Sequence, residues 1–309
     1  MTKTTAIPDT DVLVVSTSAS PGLPVGLALS PSRAGDFMRC PLLFRFRAID
    51  RFVERPGSAA ARGTLVHAVL EDLFSLDSTE RTLDTAKNMV VPTWDRLVAE
   101  DPLLAYAIDE GATFPPSADS EPLVLDPAMA AQWLAAADPL LATYFELEDP
   151  SRLEPSEREM VLEVELENGP RLRGIVDRLD VSPTGLMRVV DYKTGRSPAE
   201  GWEQRALFQM RFYALMLWRT EGSVPKMLQL LYLGDGETIR YEPSEDELVA
   251  FEGKLRALWQ AIELAGATGD WRPKTSKLCD WCDHHARCPA KGGTLPELPN
   301  LGMPSTVQP

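Results

Sequence analysis

The chain is poor in cysteine, carries no surplus of positive charge and has no long hydrophobic run, and each absence narrows what it can be. No stretch of its 309 residues approaches the roughly 18 consecutive apolar residues of a membrane-spanning helix. Near the N-terminus the one apolar run, Val12 to Val15, is too short for the core of an export signal. A cytoplasmic protein with reduced thiols is therefore expected, and disulfide pairing is the less favoured reading of its four cysteines. No Gly-x4-Gly-Lys-Ser/Thr phosphate loop occurs, so the chain is not expected to carry an ATP-driven motor. A net charge of −15 argues against a uniformly basic surface for nucleic acid.

The charge is unevenly spread. Residues 71–170 hold 23 acidic and 5 basic side chains, net −18, which leaves the remainder at +3. Seven arginines (Arg33, Arg39, Arg45, Arg47, Arg51, Arg55, Arg62) fall within residues 33–62 against Asp36, Asp50 and Glu54. That local excess reads either as a phosphate-binding surface or as a solvated basic face.

The cysteines form one pattern: Cys40 stands alone, and Cys279, Cys282 and Cys288 follow as Cys-x2-Cys-x5-Cys. Four thiolates suit an iron-sulfur cluster or a structural zinc, and the spacing does not separate the two. Either centre would join positions 239 apart, so the chain between them is expected to be one compact unit whose ends meet. Residues 1–28 and 291–309, rich in small and turn-forming residues, are expected to be loose arms around a single domain at 29–290 with a helical, acidic segment at about 75–150.

Periodicity supplies the elements. Leu65, Val66, Val69, Leu70, Leu73 and Phe74 recur at helical spacing, with His67 on the flank of the stripe. Residues 101–126 read as a loop, and a helix is expected over Ala128 to Phe145. From Glu159 the period becomes two: Met160, Leu162, Val164 and Leu166 alternate with Glu159, Val161, Glu163 and Glu165, before a turn at Asn168-Gly169. Strands at Leu172–Asp180 and Leu186–Thr194 complete an antiparallel meander. A helix over Glu203–Arg219, strands Met227–Leu233 and through Ile239 and Tyr241, and a helix over Glu245–Leu264 follow.

The candidate chemistry lies on those strands. Residues i and i+2 share a strand face, so Asp191 and Lys193 in VVDYKTG project together, and Asp177 in GIVDRLD can come alongside. Carboxylates are the hard ligands that Mg²⁺ or Mn²⁺ prefers, and such an ion can generate hydroxide to attack a phosphodiester. Lys193 would stabilise charge building on the phosphate. Taken alone, an Asp-x-Lys is more often a cross-strand surface pair. Either Glu159 or Glu163 is positioned to support the site, and the alternation does not choose between them.

The order helix-with-His, strand-Asp, strand-Asp-x-Lys, helix with Gln209 and Tyr213, and a cysteine cluster completed by Cys40 resembles the RecB-family nucleases of the PD-(D/E)XK superfamily. It resembles in particular their iron-sulfur branch, which includes the AddB nuclease domain, the nuclease domain of the eukaryotic flap-processing helicase-nuclease, and nucleases of CRISPR spacer acquisition. The likeness runs from LSPSRAGDFMRCPLLFRFR to Cys288. It implies an α/β restriction-endonuclease-like core, a mixed sheet flanked by helices with an N-terminal helical part and a C-terminal cysteine cluster. It further implies that His67, Asp177, Asp191 and the Tyr192 carbonyl ligate Mg²⁺ or Mn²⁺, that Lys193 is the catalytic lysine, and that Gln209 and Tyr213 face DNA or orient that lysine. Cys40, Cys279, Cys282 and Cys288 would bind a 4Fe-4S cluster, with structural Zn²⁺ the alternative. The implied activity is a DNA exonuclease on single-stranded or frayed ends in repair or recombination, with a separate helicase as a possible partner. A non-catalytic scaffold subunit and a CRISPR-adaptation nuclease are the competing readings.

Overall fold

The computed structural model describes residues 22–116, 123–199 and 204–299. Its centre is a five-stranded sheet in the order β1 (Glu157–Glu165), β2 (Arg171–Val181), β3 (Met187–Lys193), β4 (Met227–Tyr232), β5 (Glu237–Tyr241). All neighbours are antiparallel except β3 and β4, which run parallel and are joined through helix α7 (Gln204–Glu221). The expected meander is thus the first part of a mixed sheet.

Strand β3 is buried along most of its length, Asp191 included, because both of its faces are covered. Val189 joins a core with Leu162, Val176 and Leu230. That core is closed by α1 (Pro31–Arg39), α2 (Pro41–Phe44), α7 and α8 (Glu245–Thr268). Val190 and Tyr192 point the other way, into a second core with Leu231. There the cover is α3 (Ser58–Leu73), α4 (Leu83–Glu100), α5 (Pro127–Ala135) and α6 (Asp138–Leu147). The acidic segment supplies most of this second layer.

The helix expected over 128–145 is two helices, because the chain bends at Ala136 and Ala137 and restarts with Pro139 in the first turn of α6, where its missing N–H costs nothing. The expected loop at 101–126 contains a short 3₁₀ turn at Pro102–Ala107. Glu203, the expected first residue of α7, lies outside the described residues, as do residues 1–21 and 300–309 of the two arms. The parts of the arms that are described are not loose. Leu23 and Leu27 are buried, and the Arg45 guanidinium donates to the Pro296 carbonyl at 2.6 Å. Leu29 makes a parallel bridge to Leu172, its N–H donating to Arg171 O at 2.7 Å.

That bridge is a consequence of how β2 and β3 pair. Their ladder runs from Val181–Met187 to Arg178–Val190 and stops, although β2 continues back to Arg171. Because β1 occupies the other edge of β2 throughout, Leu29 takes the edge that β3 has vacated. A wedge opens between, and the candidate site sits at its apex.

Arg178, fully buried, braces this point. Its guanidinium donates to Glu148, Asp180 and the Tyr192 hydroxyl, and lies over the Phe74 ring. Removing one member of a buried, satisfied ion network leaves the others uncompensated. Arg178→Met is expected to destabilise the fold by about 3 kcal/mol or more. Denaturant unfolding would show this, whereas Arg240→Gln on the edge strand β5 should change stability little.

Candidate active site

Helix α3 delivers His67 to the wedge. The helix approaches closely because Gly63 lacks a side chain: a Cβ there would lie 3.2 Å from the Thr194 hydroxyl, just past the end of β3. One ring nitrogen of His67 is 2.8 Å from the Tyr192 carbonyl oxygen, and the other is 3.4 Å from an Asp177 carboxylate oxygen. Asp177 accepts a hydrogen bond from the Tyr192 N–H at 2.7 Å, so its side chain takes the donor that β2 would have paired had the ladder continued.

Lys193 and Asp191, two apart on β3, form an ion pair at 2.6 Å. Gln209 on α7 bridges the group. Its amide oxygen accepts from Lys193 Nζ at 2.9 Å, and its amide nitrogen donates to Asp191 at 3.0 Å and to the Tyr213 hydroxyl at 3.0 Å. Gln209 therefore orients the lysine and the carboxylate together. Tyr213 crosses β2 at Gly174, where a Cβ would come within 2.8 Å of its ring. Residue spacing alone holds no signal for this role of Gly174.

The structure also separates the two glutamates. Glu163 is exposed and paired with Arg171 and Arg173. Glu159 lies opposite Asp177, in the gap of the β1–β2 ladder between Arg158–Arg178 and Met160–Val176. Its φ of +42° is unusual for a residue with a side chain. The two-residue alternation breaks there on β2 as well, since Val176 and Leu179, three apart, enter the same core. His67, Glu159 and Asp177 consequently place ligand atoms within 4.8 Å of one another. Among the described residues this is the one such group of three or more. An imidazole, facing carboxylates and the Tyr192 carbonyl form a donor set suited to a hard divalent ion.

Electrostatics point the same way. Burial, then Asp177, raises Asp191 above the ordinary carboxylate range, and burial, then Asp177, pushes Glu159 up to about 7. Burial also works to raise Asp177, but His67 and the Tyr192 N–H outweigh it and hold the group low. For His67, burial disfavours the cation, yet Asp177 prevails and lifts the imidazole to about 9. Asp177, Asp191 and Glu159 thus repel one another, and His67 and Lys193 offset only part of that repulsion.

The cysteines meet elsewhere. All four are free and line one cavity between α1 and the C-terminal segment. Backbone N–H groups of Lys274 and Ser276 point at Cys40 and Cys279 sulfurs, at 3.4 and 3.3 Å. Four thiols lining one cavity are the donor set of either a tetrahedral zinc or an iron-sulfur cluster.

A family model of the PD-(D/E)XK nuclease superfamily matches residues 28–289. The Gene 69 protein of Mycobacterium phage D29 is 25% identical over 280 residues, 84% of this chain and 96% of that protein. The crystal structure of an Eubacterium rectale protein described as a "putative exonuclease" has a TM-score of 0.51 at 15% identity, covering 90% of this chain and 94% of that one. At that identity the likeness is one of fold.

The raised Glu159 sets a pH dependence. A carboxylate whose folded pKa is raised binds its proton more tightly when folded, so its contribution to stability is full below its unfolded value of 4.5 and is lost as pH rises through about 7. Metal-free protein should therefore lose thermal stability across that window, and Glu159→Gln should lose less. Saturating Mn²⁺ at pH 8 should restore roughly 2–3 kcal/mol, as binding at about 100 times Kd does. Melting curves from pH 5 to 8, with and without Mn²⁺, test both statements.

Proposed function

The chain belongs to the PD-(D/E)XK nuclease superfamily, and on that footing we propose that it is a metal-dependent deoxyribonuclease, acting as an exonuclease on single-stranded or frayed ends. The observation that carries the reading is the convergence of His67, Glu159, Asp177, Asp191 and Lys193 where β2 and β3 part. His67, Asp177, Asp191 and the Tyr192 carbonyl, with Glu159 added by the geometry, would hold Mg²⁺ or Mn²⁺. Such an ion, when bound, supplies Lewis-acid stabilisation and a hydroxide nucleophile. Lys193 presents its ammonium to the charge that develops on the phosphoryl oxygens, and Gln209 fixes where that ammonium sits. In-line attack would leave a 5′-phosphate.

A scaffold role is disfavoured by cost. Buried carboxylates that repel one another lower stability, and a retired site gains nothing by keeping them. The meeting of Cys40, Cys279, Cys282 and Cys288 at one cavity supports the iron-sulfur, AddB-like branch, and with it a role in DNA repair or recombination beside a separate helicase. We also treat residues 29–290 as one nuclease domain.

Asp191→Ala or Lys193→Ala should reduce Mn²⁺-dependent cleavage of an end-labelled oligonucleotide at least about a hundredfold. Full activity in either variant would defeat the assignment. Protein purified without oxygen should absorb broadly at roughly 400 nm and carry about four irons. A colourless protein with one zinc would leave the fold intact and withdraw the branch.

A further inference from the structure

The arginine-rich segment is not one surface. Arg45 is buried against Asp50, Arg47 is clamped by Asp36 and Glu54, and Arg55 donates to the carbonyls of Tyr106, Asp109 and Ala112. All three are held as struts by partners within the fold. Arg33 and Arg51 instead reach the wedge left by β3, where they meet Arg171 and Arg173 of β2. The cleft so formed is also lined by Gly174, Gln209 and Tyr213, and Glu163 is its one acidic residue. Four guanidiniums against one carboxylate give a local charge of +3 in a chain of net −15.

We propose that the cleft bounded by Arg33, Arg51, Arg171 and Arg173 docks the backbone phosphates of the strand being cut, on one side of the scissile bond. This rests on the nuclease reading. Gln209 makes the connection: it lines the cleft and hydrogen-bonds both Asp191 and Lys193, so a strand lying along the arginines reaches the candidate centre directly.

Three features separate the cleft from an ordinary solvated basic face. Arg51 has φ +54°, a strained backbone for arginine, and its guanidinium makes no hydrogen bond or ion pair among the described residues. Arg33 is anchored through the Ala28 carbonyl at 2.7 Å, and burial, then Arg51 and Arg173, depress its pKa. These cations crowd one another with a single carboxylate to share, the converse of the carboxylates a few residues away. Arg171 and Arg173, two apart on one strand, repeat at roughly 6.6–6.8 Å, a spacing close to that of successive phosphates in an extended strand. The opposite flank of the centre is lined by Ala60, Gly63, Thr64 and Gly195 beside His67 and Lys193 of the centre itself, with no arginine among the described residues that line it. The grip is one-sided.

Fluorescence anisotropy with a labelled oligothymidylate of about 20 nucleotides, in Ca²⁺ so that nothing is cut, tests the proposal. For single strands the slope of log K against log salt is about −0.7 per phosphate neutralised. The double variant Arg51→Gln/Arg173→Gln should flatten the slope by about 1.4 and weaken binding on the order of tenfold at 0.1 M salt, with an unchanged melting temperature. Arg240→Gln, on the far edge of the sheet, should alter neither. An unchanged slope in the double variant, or an equal change in Arg240→Gln, would overturn the cleft. Binding that depends on these arginines in a wild-type protein unable to cut with Mn²⁺ would instead retain the cleft and sink the nuclease reading.

Discussion

The mutual repulsion of buried carboxylates where β2 and β3 separate is the constraint around which this structure is organised. Asp177 sits opposite Glu159 on one side. On the other, the register that pairs Arg178 with Val190 would carry Asp177 to Asp191 if the ladder went on. The ladder stops instead, and each acid is given something to hold. Asp177 takes the Tyr192 N–H and His67, and Asp191 takes Lys193 and Gln209. Among the described residues Glu159 keeps no comparable partner, and it rises to about 7. His67, Glu159 and Asp177, gathered at one point, are the donor set proposed above for a divalent cation.

The parting of the strands has a second effect, on the backbone. Buried N–H and C=O groups on the abandoned edge of β2 must be satisfied. Leu29 does this at Arg171 and Arg173, and the Asp177 carboxylate does it for Tyr192 on β3. The same separation therefore brings the N-terminal segment into the sheet, aims a carboxylate into the site and leaves the arginine-lined cleft between. Arg33 and Arg51 arrive there because Leu29 anchors the start of their segment. Charge density of opposite sign on either side of Gln209 follows from one change in strand pairing.

The neighbours within the candidate site that depend on short spacings were legible in the sequence, whereas His67 was reached only through the resemblance in motif order. Two residues apart on a strand places Lys193 beside Asp191, and four apart on a helix places Tyr213 beside Gln209. Glu159 was legible only as one of two candidates, and the reason is register. The pair Asn168-Gly169 suggests a two-residue turn, which would set Asp177 opposite Met160. In the structure Leu166 N–H donates to the Pro170 carbonyl and Asn168 takes a positive φ, so the loop holds three residues. That single added position moves Asp177 opposite Glu159. The arginines failed for a different reason. Their clustering along the chain reflects struts that tie the N-terminal segment to its neighbours, while the cleft draws two members from elsewhere. Charge runs report composition, and which charges remain unpaired is decided by tertiary contacts.

The two ends of the fold are joined by more than cysteine. Phe44 stacks on Trp271 with ring centroids 5.9 Å apart, the buried His284 meets Glu54 at 2.6 Å, and Arg287 covers Phe52 at 4.2 Å. Burial works against the Glu54 anion, but His284 and Arg47 hold its pKa at about 2, so the carboxylate stays ionised across the physiological range. The residues around the thiols are thus positioned by packing and ion pairs of their own. The metal centre proposed for them would add to a junction that already exists, so its contribution would be one of stability and of fixing α1, the helix that begins at Pro31 and carries Arg33. A disturbance at Cys40, the residue that follows this helix, would reach Arg33 through the body of α1 and Gln209 through the packing of α1 on α7, whereas His67 is held from the opposite face of the sheet by α3.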